Sequence, residues 1–596
     1  MEAAFARGVA LIDRHWRWLV VLAWLGLCAY LLANRWGSIQ GFLLNDTDDN
    51  MRIAQVRAWL NDGQGWYDLR QYKLNAPDGA NIHWSRLVDL PLAGLILVGR
   101  LFLTGPQAEQ FAVALAPMIP LLLLMVGLTL ITRRLIHPAA WPIAIACLFF
   151  AGNGLGQFAP TRIDHHGWQL AFLAIGLSGI ADPKRARGGL TLGIASALSL
   201  SIGLEMLIYL AIAGAAMVMF WIVEPDERRR LATYGASLAG GTAIGFVVFA
   251  SIDNRLPVCD ALSPVWLGDA LVGGALLLGL AWWSPANWKA RLAGAAVAGI
   301  LVAVFHATMF PQCLSRLEGV SDETYRLWLS HVSEARSITT KDWRYILNMI
   351  ALPASALVGW PLLAWAARKD PQRLRQVIAV ALPGITATAL LLWQVRTVPT
   401  AELMGIPGAV ALIVLAVPPL SRSRFMLVRV FGVVLLVLAA LGALIPLVID
   451  KGFPEKPANA QEKKRSKASR HCPKLWAMAP LQKLPPSTIF TFSDLSPRMI
   501  VITHHRGVIG PYHRNGEAIV DSMLFFRKDA ANARRLADKY RADYVMTCPG
   551  MGQATVFAAE APKGFYVQLE KGKVPTWLQP VPLPKNSPLK LWKVVR

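Results

Sequence analysis

The chain has 596 residues, 55% of them hydrophobic and 16% charged, with a mean hydropathy of +0.41 and a formal charge of +23. Such apolarity excludes an ordinary soluble domain of this length and predicts an α-helical polytopic membrane protein, because a hydrocarbon core of ~30 Å needs helices of ~20 residues. The positive charge does not point to nucleic acid: basic clusters recur between apolar runs, at 133–134, 184–187, 228–230, 289–291, 368–375 and 422–429, the alternation that the positive-inside rule assigns to cytoplasmic loops.

The N-terminus, with Arg7, Arg14 and Arg17, belongs on the same side. The first apolar run, 16–33, has no small-residue cleavage site after it and reads as a span rather than a signal peptide. It delivers an external loop, 34–109, that carries Asp46-Thr47-Asp48-Asp49-Asn50-Met51-Arg52. Three closely spaced acids repel one another unless a cation sits among them, and hard divalent ions prefer oxygen ligands. A solvated acidic turn that caps a helix is the simpler alternative. Later in the loop, 89–104 is apolar but short and interrupted by Arg100, so it reads as an interfacial helix.

Further spans are expected at 110–132, 139–156, 167–181, 189–203, 206–223, 232–251, 265–284, 290–309, 345–366, 376–393, 402–419 and 426–449. The total of about thirteen leaves the C-terminus outside. Arg162-Ile163-Asp164-His165-His166 then falls in an external loop, and Glu205 in the external turn between the runs at 189–203 and 206–223. The two histidines have a plainer reading as caps of the following helix. Cys28 and Cys147 lie within spans, whereas Cys259, Cys313, Cys472 and Cys548 are external, where disulfides persist. Because each pair shares a region, Cys259 with Cys313 and Cys472 with Cys548 are expected, other pairings and free thiols remaining open.

The transmembrane unit therefore covers 1–449, followed by a basic linker at 450–470 that is expected to be flexible, and an external α/β domain at 471–596. Within that domain 487–492, 499–503 and 543–547 read as strands and 529–540 as a helix. From residue 451 onward 25 Lys and Arg stand against 10 Asp and Glu, which suits either an anionic partner such as a lipid headgroup, a phosphorylated carrier or an acidic glycan, or a solubilising surface.

Two motifs carry a family likeness. Asp46, Asn50 and Arg52 fit D-x-x-x-N-x-R in a first external loop, and Asp164 and His166 fit a D-x-H motif between later spans. In these, the chain resembles the catalytic subunit of oligosaccharyltransferase, within the GT-C class of polyprenyl-phosphate-dependent membrane glycosyltransferases. The resemblance extends to a cytoplasmic N-terminus, thirteen spans and an extracytoplasmic C-terminal domain. It implies inverting transfer of a sugar or glycan from a polyprenyl phosphate or pyrophosphate to a glycan, lipid or protein acceptor, with Asn50 and Arg52 as substrate-binding candidates and Glu205 as a counterpart of a later-loop glutamate that assists metal or acceptor binding. The W-W-D-Y-G motif that recognises the acceptor in true oligosaccharyltransferases is absent from the sequence, so an acceptor other than asparagine is expected.

The chemistry follows from the residue types. A leaving phosphate gathers negative charge that a divalent ion and a nearby cation can stabilise. Asp46, Asp164 and His166 would hold the ion, with Asp48 or Asp49 as an alternative ligand; oxygen-rich ligation suits Mg²⁺ or Mn²⁺, and one imidazole favours Mn²⁺. Asp46 is the candidate general base. Arg52, Arg162 and Arg396 are candidates for the phosphate, His165 lies beside the metal motif, and His513 and Arg514 of the C-terminal domain are candidates for the carrier phosphate or the glycan acceptor. Arg396, at the outer end of a span, is expected to be buried, or else to snorkel. The competing function is a transporter or flippase of lipid-linked sugars, which calls for inverted repeats and charges deep within spans. The expected location is a bacterial inner membrane, with the site and the C-terminal domain on the periplasmic side.

Overall fold

The computed structural model describes residues 2–315, 318–453 and 457–596, with side chains from residue 8; the Arg7 side chain and residues 454–456 of the expected linker lie outside the described residues. Among the described residues seven helices are long and apolar enough to cross a membrane: Trp16–Gln40, Gly105–Leu135, Pro225–Phe249, Pro264–Trp283, Trp288–Met309, Trp343–Ala367 and Val395–Ser421. The run expected at 426–449 is broken, with Val428–Ala440 and Leu444–Gly452 bent by 98°, and counts as an eighth only if the two halves are taken together.

The expectation of about thirteen is corrected accordingly, and the reason lies in helix length. Three of the expected spans fold as the short helices Trp141–Phe150, His166–Ile180 and Leu207–Val223. At 1.5 Å per residue, the 15 residues of His166–Ile180 reach only about 23 Å. Two more, Arg185–Ile202 and Pro371–Leu390, carry arginines within their first five residues and are absent from the helices apolar enough over a full span. An apolar run reports burial, and packing inside a helix bundle satisfies it as well as lipid does. His166–Ile180 is buried along most of its length. Arg185–Ile202 packs so closely on Arg228–Phe249 that a Cβ on Gly189 would lie 2.1 Å from the Arg230 carbonyl oxygen, the close approach that small residues permit between helices in membranes.

The C-terminal module holds a five-stranded mixed sheet in the order β2-β1-β3-β5-β4, built from β1 (Thr488–Phe490), β2 (Arg506–Gly507), β3 (Tyr544–Thr547), β4 (Leu578–Pro580) and β5 (Lys590–Val594). β1 runs parallel to β2 and β3, and β5 antiparallel to β3 and β4. The run expected to be a strand at 499–503 is instead the helix Ser496–Ile502, with Pro497 in its first turn. A five-residue apolar run does not separate a buried strand from a buried helix, and the proline favours a helix start. The linker is not wholly irregular either: Ala460–His471 is a helix closed by an Asn459/Glu462 capping box.

Two large hydrophobic cores stand out among the described residues. One fills the helix bundle. The other joins the first loop to the C-terminal module, with Met51, Ile53, Trp84 and Ile163 in the same cluster as Phe490, Phe526 and Val545. Disulfides link Cys259 to Cys313 and Cys472 to Cys548, while Cys28 and Cys147 are free and buried.

Candidate functional site

Asp46 caps the helix Thr47–Asn61. Its Oδ1 accepts from the backbone N–H groups of Asp48 (2.9 Å) and Asp49 (3.2 Å), while Asp49 Oδ2 accepts from the Asp46 N–H at 3.1 Å. This capping box explains why the acidic run folds locally. It also turns Asp49, which is fully buried, toward the second loop, where its Oδ1 accepts from the N–H groups of Ile163 (2.7 Å) and Asp164 (3.0 Å). Two loops far apart in sequence are thereby fastened together.

Asp46, Asp49 and Asp164 each bring a carboxylate oxygen into one cluster, all within 4.8 Å of one another. The Arg162 guanidinium lies among them, donating to Asp46 and to Asp49 Oδ2 at 3.4 Å and pairing as an ion with Asp164 Oδ2 at 2.6 Å. On the far side, Asp164 accepts from the His166 N–H (3.1 Å) and faces His166 Nδ1 (2.8 Å). His165 stacks on His166, ring centroids 4.5 Å apart, and its Nε2 lies 3.0 Å from Glu205 Oε1. Glu205 sits in the break between Arg185–Ile202 and Leu207–Val223, and its Oε2 accepts from Gln169 Nε2 at 2.5 Å.

The electrostatics divide these acids. Burial and the neighbouring Asp164 charge hold the Asp49 carboxyl well above its ordinary range. Burial also opposes ionisation of Asp164, but Arg162 and His166 outweigh it and hold Asp164 well below that range. Half-buried Asp48 is pushed up to about 7 by desolvation and by Asp164. At His166 desolvation is overcome by the Asp164 charge, which raises the imidazole to about 9. Desolvation lowers His165 despite Glu205, so a neutral ring donating from Nε2 to an ionised Glu205 is the consistent state.

Several expected roles move. Asp49, not Asp48, is the third carboxylate of the cluster, and His166 is bonded to Asp164 rather than included in the donor set. Arg52 is buried, donates to Asp89 Oδ1 at 2.9 Å and lies 4.3 Å from the Trp84 ring, so it supports the loop from beneath instead of facing a phosphate. Asn50 is likewise buried, donating to the Asp46 carbonyl (2.6 Å) and accepting from Arg498 (3.3 Å). Arg396 is exposed on the short turn Val395–Thr397, not buried. His513 and Arg514 are engaged with Asp260, at 2.6 Å for His513 and through two bonds of 2.8 and 2.6 Å for Arg514.

Other residues join the site without a sequence signal of their own. Trp84 lies 5.7 Å from both the His165 ring and the Tyr512 ring, and the Tyr512 hydroxyl donates to the Thr47 carbonyl at 3.1 Å. Gln169 had the one legible cue, standing four residues after His165 on the same helix face. Beside Arg162 and Asp164 a narrow recess opens, walled by apolar Val88, Leu92, Pro117 and Trp168. A second donor cluster, His83, Asp260 and His513, lies apart from the first.

No family model matches the chain, and no curated protein matches it. Among solved structures, the archaeal oligosaccharyltransferase AglB from Archaeoglobus fulgidus, in complex with an inhibitory peptide and a dolichol-phosphate, is similar with a TM-score of 0.67 and 14% identity, over 96% of this chain and 73% of that one. The Archaeoglobus fulgidus oligosaccharyltransferase tethered to an acceptor peptide containing the NVT sequon gives 0.67 at 15% identity, over 93% and 72%. Its complex with Zn and sulfate gives 0.61 at 16% identity, over 91% and 69%. At these identities the likeness is one of fold. The chain is a polytopic α-helical membrane protein that shares the fold of the archaeal oligosaccharyltransferase structures.

Proposed function

We propose that this protein is a metal-dependent, inverting glycosyltransferase that moves a sugar or glycan from a polyprenyl phosphate or pyrophosphate to an acceptor on the extracytoplasmic side. The observation that carries the reading is the meeting of Asp46, Asp49 and Asp164 with Arg162 at the junction of two loops. Support comes also from the fold, since the archaeal oligosaccharyltransferase that shares it has been solved with a dolichol-phosphate.

The donor set fits a hard cation: three carboxylates with no sulfur and no imidazole among them suit Mg²⁺ or Mn²⁺. Asp46, Asp49 and Asp164 would hold the ion, which when bound stabilises negative charge on a leaving phosphate. Arg162 is the guanidinium closest to these acids, and its planar fork matches phosphate oxygens once the carboxylates release it. Asp46 is the most accessible acid of the three, its side chain 42% exposed against none for Asp49 and Asp164, so it is the one placed to take the proton of an incoming hydroxyl. Glu205 and Gln169 fix the His165 ring, and His166 sets a positive charge behind Asp164. The missing W-W-D-Y-G motif favours an acceptor other than asparagine.

The test is incubation of the purified chain with radiolabelled polyprenyl-phosphate sugars and Mn²⁺, followed by separate counting of lipid, glycan and protein fractions. Label is expected to leave the donor lipid, and Asp164→Ala or chelation to stop it. Failure with every member of a broad donor panel overturns the proposal. Donor crossing a vesicle membrane intact, by a chain that never transfers it, supports the transporter instead.

A further inference from the structure

Three donors from three separate parts of the chain converge outside the carboxylate cluster. His83 comes from the first loop, Asp260 from the residue next to the Cys259–Cys313 disulfide, and His513 from the C-terminal module. A ligand atom of each lies within 4.8 Å of the others, and the His83 and His513 ring centroids are 4.6 Å apart. His513 Nε2 stands 2.6 Å from Asp260 Oδ2. His83 Nδ1 is buried without a hydrogen-bond partner. A buried imidazole nitrogen left unpaired is costly, and the ring that carries it stands beside another imidazole and within ligand reach of a carboxylate.

The surroundings are those of an oriented ligand set. Arg514 grips Asp260 from behind, with Nε on Oδ2 at 2.8 Å and Nη2 on Oδ1 at 2.6 Å. Its Nη1 donates to Asn254 Oδ1 (2.7 Å) and Asn81 Oδ1 (3.2 Å), and Asn515 clasps the Asn81 backbone through bonds of 2.9 Å at both ends. Outer partners of this kind fix the direction in which a ligating carboxylate points. An ion between His513 and Asp260 replaces one hydrogen bond and leaves the Arg514 fork in place.

We propose that His83, Asp260 and His513 form a second divalent-metal site, separate from the carboxylate cluster, that binds Zn²⁺ and fastens the C-terminal module to the loop bearing the first cluster. Two imidazoles and one carboxylate, with a fourth position for water, match the preferences of this borderline ion, whereas three carboxylates match a harder one. The two clusters thus sort metals by ligand chemistry. The consequence for the first site runs through the next residue: Trp84 packs against Arg52, His165 and Tyr512. Holding His83 therefore holds the aromatic wall beside His165.

The test uses the full chain in detergent, tag removed, stripped with chelator, reloaded with Zn²⁺ alone and desalted before elemental analysis. About one zinc per chain is expected in the wild type and in Asp164→Asn, and its loss in His83→Gln and His513→Gln. Equal zinc in the wild type and His83→Gln, no retained zinc in the wild type, or loss confined to Asp164→Asn each overturns the proposal. If a histidine variant fails to fold, carbethoxylation of the wild-type chain answers the same question. Zn²⁺ should then shield His83 and His513 together at least severalfold while exposed His504 reacts as before, and equal reactivity with and without Zn²⁺ refutes the site.

Discussion

Arg162 gives the carboxylate cluster its charge balance, with contacts to Asp46, Asp49 and Asp164 at once. Two like unit charges about 4 Å apart repel by about 4 kcal/mol at an effective dielectric of about 20, so three acids meeting here need a cation of some kind. The guanidinium and the proposed divalent ion would compete for that role. Arg162→Ala is therefore expected to make the thermal midpoint strongly dependent on Mn²⁺, well beyond any shift in the wild type; equal shifts in both would show that the arginine and the ion do not share the acids. Asp164→Asn removes a proposed metal ligand and the partner of His166, and should lower the proposed sugar transfer on the order of a hundredfold while the gel-filtration profile in detergent stays unchanged. Glu205→Gln keeps the residue's size but weakens its hold on His165; a loss of about tenfold in transfer rate is expected, as for a partner that orients a working side chain.

Among the helices, the opposite end of the bundle is tied by Asp182, whose side chain is only 2% exposed. Its oxygens accept from Arg187 at 2.7 and 2.8 Å, from Arg134 at 2.9 Å and from the Lys184 N–H at 2.8 Å. Burial opposes its ionisation, but the Arg187 hydrogen bonds and the other donors prevail and hold the carboxyl below its ordinary 3.8. The folded value lies below the unfolded one, so the stabilisation is complete above the ordinary carboxylate range and disappears as pH falls through the folded value. Thermal melts from about pH 6 to about pH 2 should show Asp182→Asn losing part of the wild type's acid dependence. At neutral pH the same change should cost about 2 kcal/mol, less than for a wholly enclosed ion pair because Arg187 is half exposed. The helix Thr47–Asn61 shows why one acidic run supported two sequence readings: the residues that cap it are also the residues that meet Asp164. Capping was legible from spacing, whereas the choice of Asp49 over Asp48 as the inward acid depended on the direction in which the helix left its cap.

At the scale of the whole molecule, the first loop and the C-terminal module share one hydrophobic core, so the outer part of the protein should behave as a unit. The Cys472–Cys548 bridge closes a separation of 76 residues within it. Serine at both positions should cost about 4 kcal/mol by the loop-entropy argument, seen as earlier melting and faster proteolysis of the module; an unchanged melt would mean that packing alone holds it. Composition, hydropathy and local motif spacing are properties of neighbouring residues, and they sufficed to read a helical membrane protein followed by a polar module, with Asp46–Arg52 and Arg162–His166 as its candidate site. The lengths and breaks of the helices formed by several apolar runs, and the engagement of Arg52, His513 and Arg514 with Asp89 and Asp260, emerged only from the tertiary packing. Those outcomes depend on partners up to 254 residues away, whose approach no local pattern encodes.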